Sequence, residues 1–161
     1  MDTVDNVCIK IELMKHSVYV LGLYRPPKVS NPLFTAFIND FEEKVQNILS
    51  IISPTDVLII AGDLNVHCNS WYVNPSASKT FGTQVNNMLD SLGLEQVLDH
   101  LNYFRENYAS FFDVLITNKP EVFNCSMVVS ALGERCHHHP VVSTFNLQKV
   151  PKRITSRGFK F

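Results

Sequence analysis

The sequence predicts an α+β domain built on a mixed sheet. Two observations carry the prediction. Segments of strand character alternate with two amphipathic helices and then continue as a run of strands. In addition, residues 56–62 (DVLIIAG) are apolar on both faces, as a strand at the centre of a sheet must be. No internal repeat or low-complexity segment breaks the pattern, and 161 residues fit one ordinary domain.

Residues 7–13 (VCIKIEL) alternate apolar and polar side chains, the period of a half-buried strand. Residues 17–24 (SVYVLGLY) are rich in β-branched and aromatic side chains, so they read as a second strand. The short polar link MKHS predicts a hairpin between them. RPPKVSNP (25–32) is then loop, because each proline removes a backbone donor. Asn31 is the expected helix cap, with Pro32 in the first turn, where a missing N–H costs nothing. Phe34, Phe37, Ile38, Phe41, Val45, Ile48, Leu49 and Ile52 hold helical spacing. They predict a long amphipathic helix over 32–52 that ends near Pro54. After the central strand, a polar loop runs from Val66 to Lys79. Phe81, Val85, Met88, Leu89 and Leu92 predict a second helix with Gly93 as its stop. EQVLD (95–99), SFFDVLITN (110–118), NCSMVVS (124–130) and VVSTFNL (141–147) read as further strands.

Hydrophobic residues make up 45% of the chain and charged ones 18%, which describes a core-forming domain and excludes a disordered one. The net charge of -1 hides an asymmetry. All fifteen acids lie in residues 1–134 with eight bases, whereas residues 135–161 carry six bases and no acid. Such a tail is either a phosphate contact or simply a solvated chain end. Cys8, Cys68, Cys125 and Cys136 form no CxxC pair, so a reducing, intracellular setting is expected, nucleus or cytoplasm. The start MDTVDNV lacks an apolar region of signal-peptide type, and the run VLIIA is too short to span a bilayer; no membrane partner is expected.

Three places could carry chemistry. AGDLNVH (61–67) follows the central strand directly, and a strand end commonly presents polar groups to a site. In an extended chain Asp63 and Asn65 point the same way, one carboxylate beside one amide. The same residues are also ordinary turn chemistry after a strand, and taken alone they leave both readings open. Asp113 sits among apolar neighbours, where a carboxylate is costly unless paired. A histidine is the natural partner, and His137, His138 and His139 offer one. Consecutive histidines diverge, so they do not easily share one ion. A zinc site could be drawn from Cys136 with Cys125, or with His67 and Cys68, but that spacing matches no usual ligand pattern. One histidine oriented by Asp113 is the preferred reading.

Four pieces in order resemble the endonuclease/exonuclease/phosphatase superfamily, in particular the apurinic-type endonuclease domain of jockey-like non-LTR retrotransposons. LGLYRPP (21–27) resembles the family strand ending in Tyr-x-Pro, and IIAGDLNVH (59–67) its Gly-Asp-x-Asn motif. NYFRENYASFFDVLITN (102–118) resembles its Arg-x-Asn, Ser-x-x-Asp segment, and CHHHPVV (136–142) its Ser-Asp-His motif followed by Pro-Val. The resemblance implies a partial four-layer α/β/β/α sandwich with mixed, mostly antiparallel sheets over residues 1–148. It also implies that 149–161 is a basic tail of the kind that leads to a reverse transcriptase. The activity it implies is Mg²⁺-dependent hydrolysis of DNA phosphodiester bonds. In that scheme Asp63 orients or deprotonates the attacking water, and Asn65 holds the water and a phosphate oxygen. Tyr24 contacts the phosphate or supports the leaving group. His138 stabilises charge on the phosphoryl group, and Asp113 orients His138.

Two departures from the family pattern shape the expectation. The family's earlier strands carry an Asn and then the Glu that is its main metal ligand. Glu12 lies on the strand just before the Tyr strand, too late to be that Glu, so an N-terminally truncated domain with an uncovered edge is expected. The Ser and Asp of Ser-Asp-His align with Cys136 and His137. His137 is therefore the candidate metal ligand at that position, an imidazole that prefers softer ions than Mg²⁺. Two readings other than an active enzyme stand beside the nuclease. One is a non-catalytic remnant or nucleic-acid-binding module of the same fold, the other a zinc-binding module.

Overall fold

The computed structural model describes residues 5–27, 30–66, 68, 71, 80–98, 100–106, 108–129 and 136–146. The expected hairpin is present: β1 (Asp5–Glu12) pairs antiparallel with β2 (Ser17–Tyr24), with Glu12 opposite Ser17. After α1 (Asn31–Ile51), β3 (Val57–Asp63) runs parallel to β2 and places Asp63 beside Tyr24. α2 (Thr80–Ser91) follows, then the two-residue β4 (Glu95–Gln96). A hairpin of β5 (Tyr103–Arg105) and β6 (Tyr108–Ser110) leads into β7 (Asp113–Thr117). β7 pairs antiparallel with both β3 and β4, which completes a five-stranded sheet of order β1-β2-β3-β7-β4. β8 (Phe123–Val128) and β9 (Val141–Phe145) form a separate antiparallel pair.

The sheet is mixed and mostly antiparallel, and the fold is α+β as expected. Strand alternation sorts its side chains into two faces. Leu21 and Leu23 of β2, Leu58 and Ile60 of β3, and Val114 and Ile116 of β7 join one core with α1 and α2. Val18, Val57 and Ile59 face the other way, where Val122 and Phe123 at the start of β8 pack against them. Among the described residues this gives helices, central sheet and a small second sheet, three of the four layers of the expected sandwich. The tail from 149 onward, His67, most of the loop over 66–79, and Gly133 to Arg135 lie outside the described residues.

α1 forms because Phe34, Phe37, Phe41, Val45 and Ile48 repeat on one stripe, each at most 1% exposed. Its start differs from expectation. Ser30, not Asn31, holds the cap position, with extended backbone and no side-chain cap bond; its carbonyl accepts the Phe34 N–H at 2.9 Å. Asn31 is already helical because Pro32 pre-sets the first turn, where its missing donor is harmless. Lys44, buried on the same stripe, is satisfied by Asp40 one turn back. α2 ends as the sequence predicts. Gly93 has φ +65, the Leu94 N–H reaches the Leu89 carbonyl at 2.9 Å, and the Gly93 N–H reaches that of Asp90 at 3.2 Å. These are the two bonds of a Schellman stop.

Other strands are shorter than their apolar patterns. EQVLD yields only Glu95–Gln96, because the chain leaves the sheet edge after two pairs with β7. SFFDVLITN divides: Ser110 ends β6, and Asp113 opens β7 rather than sitting at mid-strand. At the opposite end of the sheet, Asp56 joins the β1–β2 hairpin to the start of β3. Its carboxylate accepts the Ser17 N–H at 2.5 Å and the Ser53 N–H at 2.9 Å.

Candidate active site

The register dictates which strand ends meet. Asp63 is the last residue of β3, Asp113 is the first of antiparallel β7, and the two are directly paired. Tyr24, the last residue of parallel β2, pairs with Asp63 from the other side. Asp63 has the parity of Val57 and Ile59, Asp113 that of Leu115, and Tyr24 that of Val18, so all three point to the face opposite the helices. Tyr24 is 43% exposed there. Gly62 allows the close approach of β2 and β3. Its φ is +146, and a Cβ at this position would stand 1.8 Å from the Leu23 carbonyl oxygen.

His138 comes from far along the chain. Residues 136–139 lie beside the start of β5: Tyr103 and His138 form an isolated bridge, the Phe104 N–H bonds the His137 carbonyl at 2.9 Å, and the His139 N–H bonds that of Asn102 at 2.8 Å. This docking puts His138 Nδ1 2.9 Å from Asp113 Oδ2. A carboxylate only accepts, so Nδ1 carries the hydrogen and Nε2 is turned outward. Tyr103 braces the imidazole edge-on, with ring centroids 4.9 Å apart. The neighbours separate. His137 is exposed and angled towards Tyr103, and His139 packs on Phe104.

Asn65 departs from the extended-chain picture. Its φ is +48, so the strand ends at Asp63 and the chain turns left-handed. The Asn65 N–H donates to Asp63 Oδ1 at 2.9 Å, and its side-chain amide donates to the Arg25 carbonyl at 3.0 Å. The turn chemistry and the functional reading thus coincide: the Asp63 carboxylate that would act is the one that closes the turn.

Burial pushes the Asp63 carboxyl above the ordinary carboxylate range. The bond from the Asn65 N–H opposes this, the nearby Asp113 charge adds to it, and His138 opposes it. Ligand atoms of Asp63, Asp113 and His138 all lie within 4.8 Å of one another. Two carboxylates that repel each other, beside an imidazole, suit a divalent cation, which would relieve that repulsion. This is the one such His, Cys, Asp or Glu group among the described residues, and it contains His138 rather than His137. Of the residues from which a zinc site could be drawn, His67 and the side chain of Cys125 lie outside the described residues. Cys68 is buried with its thiol 3.7 Å from Asn86 Oδ1, and Cys136 is exposed and bonds the His138 carbonyl.

Sequence reasoning missed two side chains that build the site. Asn102 is fully buried; its amide donates to the Asp113 carbonyl at 2.6 Å, and its Oδ1 accepts the Phe112 and Asp113 N–H groups at 3.1 and 3.2 Å. Its own carbonyl receives the His139 N–H, so one residue ties the Asp113 strand to the His138 segment. Arg25, read only as loop, is buried behind Asn65. The available signals were an Asn just before an aromatic pair and an Arg wedged between an apolar strand and two prolines.

A mixed sheet whose strand ends assemble a Tyr, an Asp–Asn turn and an Asp–His pair defines a domain of the endonuclease/exonuclease/phosphatase class. The profile of the family described as Endonuclease-reverse transcriptase matches residues 18–142, well over half of the chain, and the chain belongs to that family. Among solved structures it is similar to the endonuclease domain of TRAS1, a telomere-specific non-LTR retrotransposon. The TM-score is 0.69 at 20% identity, over 89% of this chain and 65% of that one. It is also similar to the 3' phosphatase NExo from Neisseria bound to a product DNA hairpin, with TM-score 0.62 and 18% identity over 81% and 62% of the two chains. An AP endonuclease from Archaeoglobus fulgidus gives TM-score 0.62 at 14% identity over the same shares. The chain thus spans less than two thirds of the length of these structures. No curated protein sequence matches it.

Proposed function

We propose that the domain hydrolyses phosphodiester bonds in DNA with a divalent cation, Mg²⁺ by family, as the nuclease part of a retrotransposon-type protein. The observation that carries this reading is the convergence of Asp63, Asp113 and His138 at one strand end. The profile match and the TRAS1 and NExo likenesses support DNA as the substrate class. In this reading residues 1–148 are the nuclease domain and 149–161 a basic connection towards a reverse transcriptase, working inside the cell. No helix among the described residues is long and apolar enough to cross a membrane.

Each group has a defined task. Asp63, with its raised proton affinity, takes a proton from water near neutral pH more readily than an ordinary aspartate. The Asn65 N–H keeps that carboxylate in one orientation. His138, held by its Nδ1–H bond to Asp113, would stabilise charge building up on a phosphoryl oxygen. Tyr24 stands on the same face at the adjoining strand end, within the row that a scissile phosphate would cross. The Asp63 and Asp113 carboxylates would hold the cation, with His138 beside them, and when bound it would supply charge neutralisation at the phosphate.

A second reading rests on His137, which stands at the family's carboxylate position but is exposed and outside the cluster. There the fold binds nucleic acid without cutting it. Supercoiled plasmid with Mg²⁺, beside an Asp63→Ala control, separates the two. Nicking that disappears in the control supports the nuclease; folded, DNA-binding protein that never nicks leaves only the second reading.

A further inference from the structure

Arg25 has no part in the chemistry above, yet it is 3% exposed directly behind the site. Following Tyr24, it has the opposite parity and turns to the helix-covered face. A buried guanidinium is costly unless its donors are satisfied, as any buried ion is. Here they go to carbonyls: Nε to Leu64 at 2.5 Å, Nη1 to Pro26 at 3.1 Å, and Nη2 to Asn65. The rings of Phe34 and Phe37 lie 5.5 and 5.9 Å from Cζ and give the cation two aromatic neighbours.

The backbone of Arg25 completes a closed circuit. Its N–H donates to the Asp63 carbonyl at 2.9 Å, and its carbonyl receives the Asn65 side-chain amide at 3.0 Å. One residue therefore bonds Asp63, Leu64 and Asn65 in succession. Asn65 holds φ +48, a conformation that is costly for a non-glycine residue and persists only where the surroundings over-determine it.

We propose that Arg25 is a positioning residue: its forked guanidinium clamps the Leu64 and Asn65 carbonyls, fixes Asn65 left-handed, and so aims the Asp63 carboxylate that accepts the Asn65 N–H. The consequence for rate rests on the nuclease reading; the consequence for the turn does not. The geometry requires arginine specifically. A lysine ammonium keeps the charge but lacks the planar fork that reaches two successive carbonyls.

The test compares the full chain with Arg25→Lys and Arg25→Met by NMR, thermal unfolding and Mg²⁺-dependent cleavage of a DNA duplex. In the unaltered protein the Arg25 Nε–H exchanges slowly with solvent. In Arg25→Lys the fold survives, the Asn65 coupling constant leaves its left-handed value, and its amide exchanges about tenfold faster. kcat falls about 10–100-fold, the scale of a slightly misplaced catalytic group, while KM stays within about twofold. Arg25→Met falls further, and where it fails to fold, the lysine variant and the Nε–H exchange still decide. A freely exchanging Nε–H overturns the clamp. So does a lysine variant that keeps the Asn65 coupling and kcat, or one whose lost activity follows only its unfolded fraction. If the unaltered chain cuts no DNA, the nuclease reading fails, and the Asn65 and Arg25 resonances alone settle the clamp.

Discussion

The two faces of the central sheet are made of the same alternating apolar residues, yet they are finished differently. On one side Phe34, Phe37 and Phe41 of α1 close over Leu21, Leu58, Ile60 and Ile116, all at most 1% exposed. On the other, Val18, Val57 and Ile59 are buried while Val7 and Ile9 of the edge strand are 56% and 36% exposed. Between this face and the β8–β9 pair runs an apolar cavity of about 720 Å³, with Asp113 and His138 at its rim. The covered face is the stable platform. The open face carries the polar strand ends, and the side chains that orient them, Arg25 and Asn102, reach back into the packed interior.

Mutations should register that difference. Phe41→Ala should cost about 3–5 kcal/mol in urea unfolding, because a closed core cannot collapse around the lost ring. Ile59→Ala, beside the cavity, should cost no more than about 2 kcal/mol, the low end for such truncations. Equal costs would mean that the faces are equally packed and the contrast is false.

Asp56→Ala should remove about 2 kcal/mol at neutral pH by orphaning the Ser17 and Ser53 N–H groups. Burial pushes the Asp56 carboxyl up, but the bonds from Ser17 and Ser53, with Lys10 assisting, outweigh it and leave it below the ordinary value. For a depressed carboxyl the stabilisation is present above the unfolded pKa and lost as pH falls through the folded one. The gap between Asp56→Ala and the unaltered protein should therefore shrink in acid; a pH-independent gap would assign the effect to packing.

Asp63 behaves in the opposite sense. Its raised pKa makes the protonated form the more stable one when folded, a contribution that is present at low pH and lost as pH rises through the folded value. At pH 7 Asp63→Asn should raise the melting temperature slightly while abolishing cleavage, and the gain should vanish in acid. A destabilised Asp63→Asn would mean that the carboxylate is structural. Smallest of all, Val7→Lys on the exposed edge should change stability by less than about 0.5 kcal/mol yet reduce self-association in sedimentation.

How much of this was legible in the sequence depended on range. α1, the Gly93 stop and the doubly apolar β3 were readable because local periodicity and one special φ decide them. Asp63, Asp113 and His138 could be named from motif resemblance. Their meeting depends on the order β2-β3-β7 and on residues 136–139 docking beside Tyr103, contacts of long sequence separation that no local pattern encodes. The reach of Arg25 was missed for the same reason. Asn65 was misdirected because alternation assumes an extended chain, and the chain turns there.

The central claim is that the open-face strand ends form one prearranged cation site served by the packed face behind it. The most direct measurement is an NMR titration with Mn²⁺, a paramagnetic stand-in for Mg²⁺. The expected result is that resonances of Asp63, Asp113 and His138 broaden first and together, and that Asp63→Asn abolishes the effect. Broadening that begins elsewhere on the acidic surface, or that survives Asp63→Asn unchanged, would contradict the claim.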